Sequence, residues 1–119
     1  MNRLDVEGLK AFCASLPGAE ARQVGPPANI LVYAVHGKRF AHFKTSTPEQ
    51  WRFSLKVPSD RFLELTDLPG IRPARWLGRH HWITVVEVAR VPAIDLRAWV
   101  RWSHGEAVRK LPGRVRAAL

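Results

Sequence analysis

Hydrophobic and polar positions change period several times along this chain, and each change marks an element. Val6, Leu9, Phe12, Cys13 and Leu16 recur at helical spacing behind Asp5, whose short carboxylate suits an N-cap. Pro17-Gly18 ends that helix. The following AEARQVGPPAN is polar, small-sided and broken by Gly25-Pro26-Pro27, which predicts a loop preceded at most by a short edge strand. ILVYAVHGKRFAHFK then sets two β-rich runs around His36-Gly37-Lys38, a hairpin pattern. With Gly37-Lys38 as the turn, His36 pairs with Arg39, Ala34 with Ala41 and Val32 with Phe43. Ile30, Val32, Ala34, Ala41 and Phe43 then face the core, and Tyr33, Phe40, His42 and Lys44 face away.

WRFSLKV alternates strictly, with Trp51, Phe53, Leu55 and Val57 inward and Arg52, Ser54 and Lys56 outward. The outward sheet face is therefore expected to mix rings and cations: Tyr33, Phe40, His42, Lys44, Arg52 and Lys56. SDRFLELTDL predicts a short helix capped by Ser59, with Phe62, Leu63 and Leu65 as its apolar contacts. LPGIRPAR turns through two prolines, and HWITVVEV is a β-branched strand. Pro92, at a first helical position, opens the longest helix, with Asp95 near its positive end. Leu96, Trp99, Val100, Ser103, Ala107 and Leu111 form its packing stripe, while Arg97, Arg101 and His104 line another side. Pro112-Gly113 breaks it, and GRVRAAL follows as a basic last turn or short helix. Helices bracketing a mainly antiparallel sheet make the class α+β, in one domain spanning 1–119.

Charge sharpens this outline. Nineteen Lys and Arg against ten Asp and Glu give +9 and a pI near 11.1. Residues 72–116 carry ten basic and three acidic side chains, seven of the nine net charges. Such an excess suits phosphate backbones, anionic surfaces or acidic proteins. An arginine-rich composition can also reflect genomic base composition. Cys13 is the single cysteine, so no intrachain disulfide forms and a reducing cytoplasm fits. No run approaches the roughly 18 apolar residues of a membrane span, and Asp5, Glu7 and Lys10 interrupt any leader-like stretch.

Few residues suggest reaction chemistry. His80 and His81 are adjacent, so in a strand they point to opposite faces and make no metal pair. Cys13 sits on a core stripe, and no serine lies in a nucleophile elbow. Gly70, Gly78 and Gly105 lie in no phosphate-cradling motif. No enzyme, cofactor or metal site is therefore expected. What remains is cationic and aromatic. Arg72, Arg75, Arg79, His80 and Arg90 gather around the loop before HWITVVEV and at that strand's end, where guanidinium forks can take phosphates. Trp76, in the same Pro/Gly-rich loop, is the candidate exposed aromatic, and Trp82 is assigned to packing.

The order FCASLPGAE, NILVYAVHGKRFAHF, WRFSLKV, LPGIRPARWLGRHHWITV, a VP-started helix and KLPGRVRAAL resembles the MmcQ/YjbR family over nearly the whole length. PGIRPA and RHHWITV carry the resemblance most specifically. It implies a two-layer α+β domain related to the frataxin-like arrangement, and a DNA-binding role with a double-wing motif. The wings would be the hairpin around His36-Gly37-Lys38-Arg39 and the region Arg75–Trp82. His104 departs from the tyrosine relatives often carry, and Gly78-Arg79 departs in the loop. The expected partner is duplex DNA, held by Lys38, Arg39, Arg72, Arg75, Arg79, His80 and Arg90. An acidic protein on the same basic face is the alternative, as is a small ligand. An iron-handling role would need more acid than Asp5, Glu7 and Glu20 supply.

Overall fold

Asp5 caps the first helix as its position predicts. Its carboxylate accepts the Gly8 amide at 2.7 Å, and α1 (Val6–Ser15) buries Leu9 and Cys13 completely. In the computed structural model, which describes residues 3–119, six strands follow: β1 (Ala19–Val24), β2 (Ile30–Val35), β3 (Lys38–Lys44), β4 (Phe53–Lys56), β5 (Ile71–Pro73) and β6 (Trp82–Val85). They form one sheet in the order β1-β2-β3-β4-β6-β5, and every neighbouring pair is antiparallel. Three more helices are α2 (Ser59–Thr66), α3 (Ala93–Arg109) and α4 (Gly113–Ala117).

The helix α3 buries Leu96, Trp99, Val100, Ser103 and Ala107, the stripe its spacing predicts. That stripe and the apolar side of α1 both need an apolar partner, and one sheet face supplies it. Tyr33, Ala41, Phe43, Phe53, Leu55, Val57, Ile83 and Val85 join Leu9, Cys13, Leu96 and Val100 in a single core. Each fully buried Leu or Phe there contributes about 1.5–3 kcal/mol. Ser103 locks the layers together: its hydroxyl donates to the Phe40 carbonyl at 2.7 Å and accepts the Lys56 amide at 3.3 Å.

The hairpin register differs from the expected one. His36 and Gly37 have φ of 46° and 80° and form the two-residue turn, so Val35 pairs with Lys38 rather than His36 with Arg39. A turn of this kind needs positive φ at both central positions, which glycine gives freely and histidine tolerates. A register shift after Tyr33 then adds Phe40 as an extra residue on β3, so Tyr33 pairs with Ala41 and Val32 with His42. The result reverses β2: Tyr33 joins the core, and Val32 lies on the opposite face with His42. Phe40 also turns inward, against the ring of His104 at 5.2 Å.

Other departures are local. AEARQV is a full edge strand, β1, and IRP is the opposite edge, β5, where Pro73 needs no ladder amide. HWITVVEV is extended only over Trp82–Val85, and a 3-10 turn at Val88–Arg90 follows it. His104 is buried within α3, with Nε2 2.8 Å from the Pro17 carbonyl, instead of lining a solvent side with Arg97. Trp51 precedes β4 in a turn and is 49 % exposed, and Leu63 is 79 % exposed on the outer side of α2. Pro58 rather than Ser59 is the N-cap of α2, and Pro92 is the N-cap of α3 instead of its first helical residue, which is Ala93.

Candidate nucleic-acid interface

The sheet face turned away from the helices carries the site. Strand register lines up Arg22, Val32, His42, Ser54, Thr84 and Arg72 in one row across all six strands. Arginines stand at both ends of the row, and two hydroxyls lie inside it, Ser54 Oγ and Thr84 Oγ1, 2.8 Å apart. A neighbouring row adds Lys56 opposite Trp82, whose ring lies on His42 with centroids 4.7 Å apart. Trp82 therefore packs on this face and not in the main core.

Over this face runs an open groove of about 650 Å³. Its floor includes Ile30, His42, Ser54 and Thr84, and Arg39, Lys44, Arg52 and Arg75 supply cations around it. Lys44 donates to the Ala28 carbonyl at 2.9 Å, and Arg52 lies 3.5 Å from Glu49. Arg39 and Arg75 enter no ion pair among the described residues. One wall is the loop before β6, closed by the Ala74 amide on the Trp82 carbonyl at 2.9 Å and the Trp82 amide on the Leu77 carbonyl at 3.3 Å. That closure holds up Trp76, which is 81 % exposed at φ 70°, with the Arg75 guanidinium 5.3 Å from its ring centroid.

His42 is 8 % exposed and its Nε2 has no hydrogen-bond partner. Burial, then the nearby Arg39 charge, push its pKa down to about 4, so the ring is neutral at neutral pH. Beside the groove, Lys38, Arg39, Lys56 and Lys110 surround a smaller pocket of about 300 Å³. Burial and then Lys110 lower the Lys56 pKa, the mark of like charges held together. Glu106, the acid lining this pocket, is already tied to Arg109 by bonds of 2.9 and 3.0 Å. An anion entering there would meet the ammonium groups of Lys38, Lys56 and Lys110, whose charge Glu106 offsets only in part.

The residues expected to bind divide clearly. Arg39 and Arg75 line the groove, and Lys38 lines the smaller pocket. Arg72 is exposed on β5 at the end of the central row. Arg79 and His80 are exposed in the 3-10 turn Gly78–His80, at the end of the sheet where the His36-Gly37 hairpin also turns. Arg90 lies beyond the opposite end of β6, bonded to Glu87 at 2.8 Å, and takes no part in the groove. His81 sits in the left-handed turn before β6, its ring edge-on to Phe62 at 5.4 Å, apart from His80's exposed surface. Lys44, Arg52, Lys56 and Lys110 were not among the expected binders. The alternation of β3 and β4 places Lys44, Arg52 and Lys56 on the outward face, whereas Lys110 joins only through the path of α3.

Among the described residues, no three His, Cys, Asp or Glu side chains gather to hold a metal ion. No helix among them is long and apolar enough to cross a membrane. A six-stranded antiparallel sheet, with helices on one face and a cationic groove on the other, defines a two-layer α+β domain built around an open sheet surface. The YjbR family model matches residues 14–106, and the chain belongs to the YjbR family. It is similar to the crystal structure of Deinococcus radiodurans protein DR2400, described by the domain name DUF419, at 27 % identity and a TM-score of 0.81. That similarity covers 99 % of this chain and 89 % of the other. A Pseudomonas syringae protein shares the fold at 17 % identity and a TM-score of 0.72, over 87 % of this chain and 99 % of its own. No curated protein matches the chain.

Proposed function

We propose that this chain binds nucleic acid without catalysing a reaction, through phosphate contacts made from the open sheet face and its two flanking loops. The observation that carries this reading is the ring of Arg39, Lys44, Arg52 and Arg75 around one groove, with Arg39 and Arg75 unpaired among the described residues. Guanidinium groups without a carboxylate partner keep their full bidentate capacity for phosphate oxygens. The hairpin turn at His36-Gly37 and the loop Arg75–His81 rise at the same end of the sheet, as two wings flanking one face. Lys38, Arg39, Lys56 and Lys110 extend the cationic surface beyond the groove along the hairpin.

The test is fluorescence anisotropy of labelled nucleic acid against the purified protein across a salt series. Neutralising about five phosphates of a duplex gives a log–log slope near −4.5. Replacing Arg39 and Arg75 together by Ala is expected to flatten that slope by about 2. An unchanged slope and affinity removes these side chains from the interface. No saturable binding at the lowest salt overturns the reading and leaves an acidic protein as the partner of the basic face.

A further inference from the structure

Phosphate contacts alone do not account for the groove. Its floor is made of sheet residues, and an indole exposed to 81 % stands on its wall. A tryptophan 81 % exposed on a backbone at φ 70° leaves much of its apolar surface in water and costs backbone strain. Two loop-closing hydrogen bonds maintain it beside the groove instead of letting it fold over the core edge. Arg75 lies 5.3 Å from the indole centroid, so the ring stands next to a guanidinium that is free to take a phosphate. An aromatic platform beside a backbone-tracking cation is the arrangement that holds unpaired bases, since every base has a π-face to stack. A duplex keeps those faces stacked on one another and presents only edges and phosphates.

The floor fits the same occupant. Ser54 and Thr84 share one hydroxyl hydrogen between them, which leaves the pair one proton to donate and lone pairs to accept. Such a pair meets the donors or acceptors on the edge of any base. His42, paired with Ser54 across β3 and β4, supplies a flat ring beside it, and Ile30 adds apolar surface further along the groove. The groove's 650 Å³ exceeds what one base needs, so base and sugar enter together with the phosphate left at the rim.

We infer that the groove is a seat for an unpaired base of single-stranded nucleic acid, stacked on Trp76 over the Ser54–Thr84 hydroxyls with its phosphate on Arg75 and Arg39. This rests on the nucleic-acid reading above and names the form of the partner. The test uses three labelled probes against the intact chain: an oligothymidylate of about 12 nucleotides, an abasic strand of equal length and charge, and a duplex. The base-bearing strand is expected to bind about tenfold tighter than the abasic one. Trp76→Ala is expected to erase that preference while leaving abasic binding and its salt slope intact, and Trp76→Phe to retain most of it. The exposure of Trp76 means that neither variant removes core packing. Equal binding of the base-bearing and abasic strands, with steep salt dependence in both, overturns the base seat and leaves phosphate binding standing. A preference that survives Trp76→Ala overturns it as well. No binding of any probe overturns both readings.

Discussion

Acid is expected to destabilise this protein through His42 in particular. The ring is 8 % exposed, packed at a tilt of 38° against Trp82, and its pKa is depressed from 6.5 to about 4, first by burial and then by Arg39. Well above pH 6.5 the ring is neutral in both the folded and unfolded chain, and the group contributes no pH dependence. As pH falls from 6.5 towards 4, the unfolded chain takes up a proton that the folded chain refuses. Stability is therefore lost across that window and levels off below it. The full interval converts to about 3 kcal/mol, and a fall from pH 7 to 4.5 captures about 2–3 kcal/mol. Carboxylates titrate in the same range, so the assay must subtract them. Urea unfolding of the natural chain and of His42→Leu, each at pH 7 and 4.5, does so, because the carboxylates are common to both. The natural chain should lose about 2–3 kcal/mol more than the variant over this step. Equal losses in the two chains would refute the claim that His42 is held neutral on the sheet face.

Ser103→Ala should cost about 1–3 kcal/mol in urea unfolding, because the Phe40 carbonyl on the extra residue of β3 is left buried without its donor. Burial pushes the Cys13 thiol up to about 12, so an Ellman-type reagent at pH 8 should leave the folded chain unmodified and label it fully in urea. Rapid native labelling would show that α1 opens. At the hairpin turn, Gly37 has φ 80° and open space around it, so Gly37→Ala should lose about 1 kcal/mol through backbone strain alone. Gly37→Asn, a residue that tolerates this region, should lose less when both variants are unfolded in urea.

What the sequence made legible follows from the range of the interaction behind each feature. The Asp5 cap, the alternation of Phe53, Leu55 and Val57, and the α3 stripe are local patterns, and all three stand in the structure. The hairpin was legible in place but not in parity. Its turn lies one residue earlier than expected, and the extra residue at Phe40 depends on a carbonyl that Ser103 satisfies from 63 positions away. His104 is a similar case: helical spacing puts it at the stripe's margin, and the ring of Phe40 and the carbonyl of Pro17, both distant in sequence, draw it inside. β5 is three residues long and carries no periodic signal at all.

Charge misdirects in a more instructive way. Residues 72–116 hold most of the net charge, yet Arg97, Arg101 and Arg109 lie on α3, whose stripe packs against the helix-covered face, and Arg101 sits over the Phe12 ring at 5.2 Å. The groove takes Arg75 from that basic half and Arg39, Lys44 and Arg52 from the more balanced first half. Its cations converge because β3 and β4 alternate and because α1 and α3 both bury their stripes against Phe43, Phe53 and Leu55. With both helices on that side, neither covers the outward face of the central strands, where His42 and Thr84 are buried and the groove forms above them. The location of the candidate site is thus set by where the helices pack, and the density of arginine along the chain is a poor guide to it.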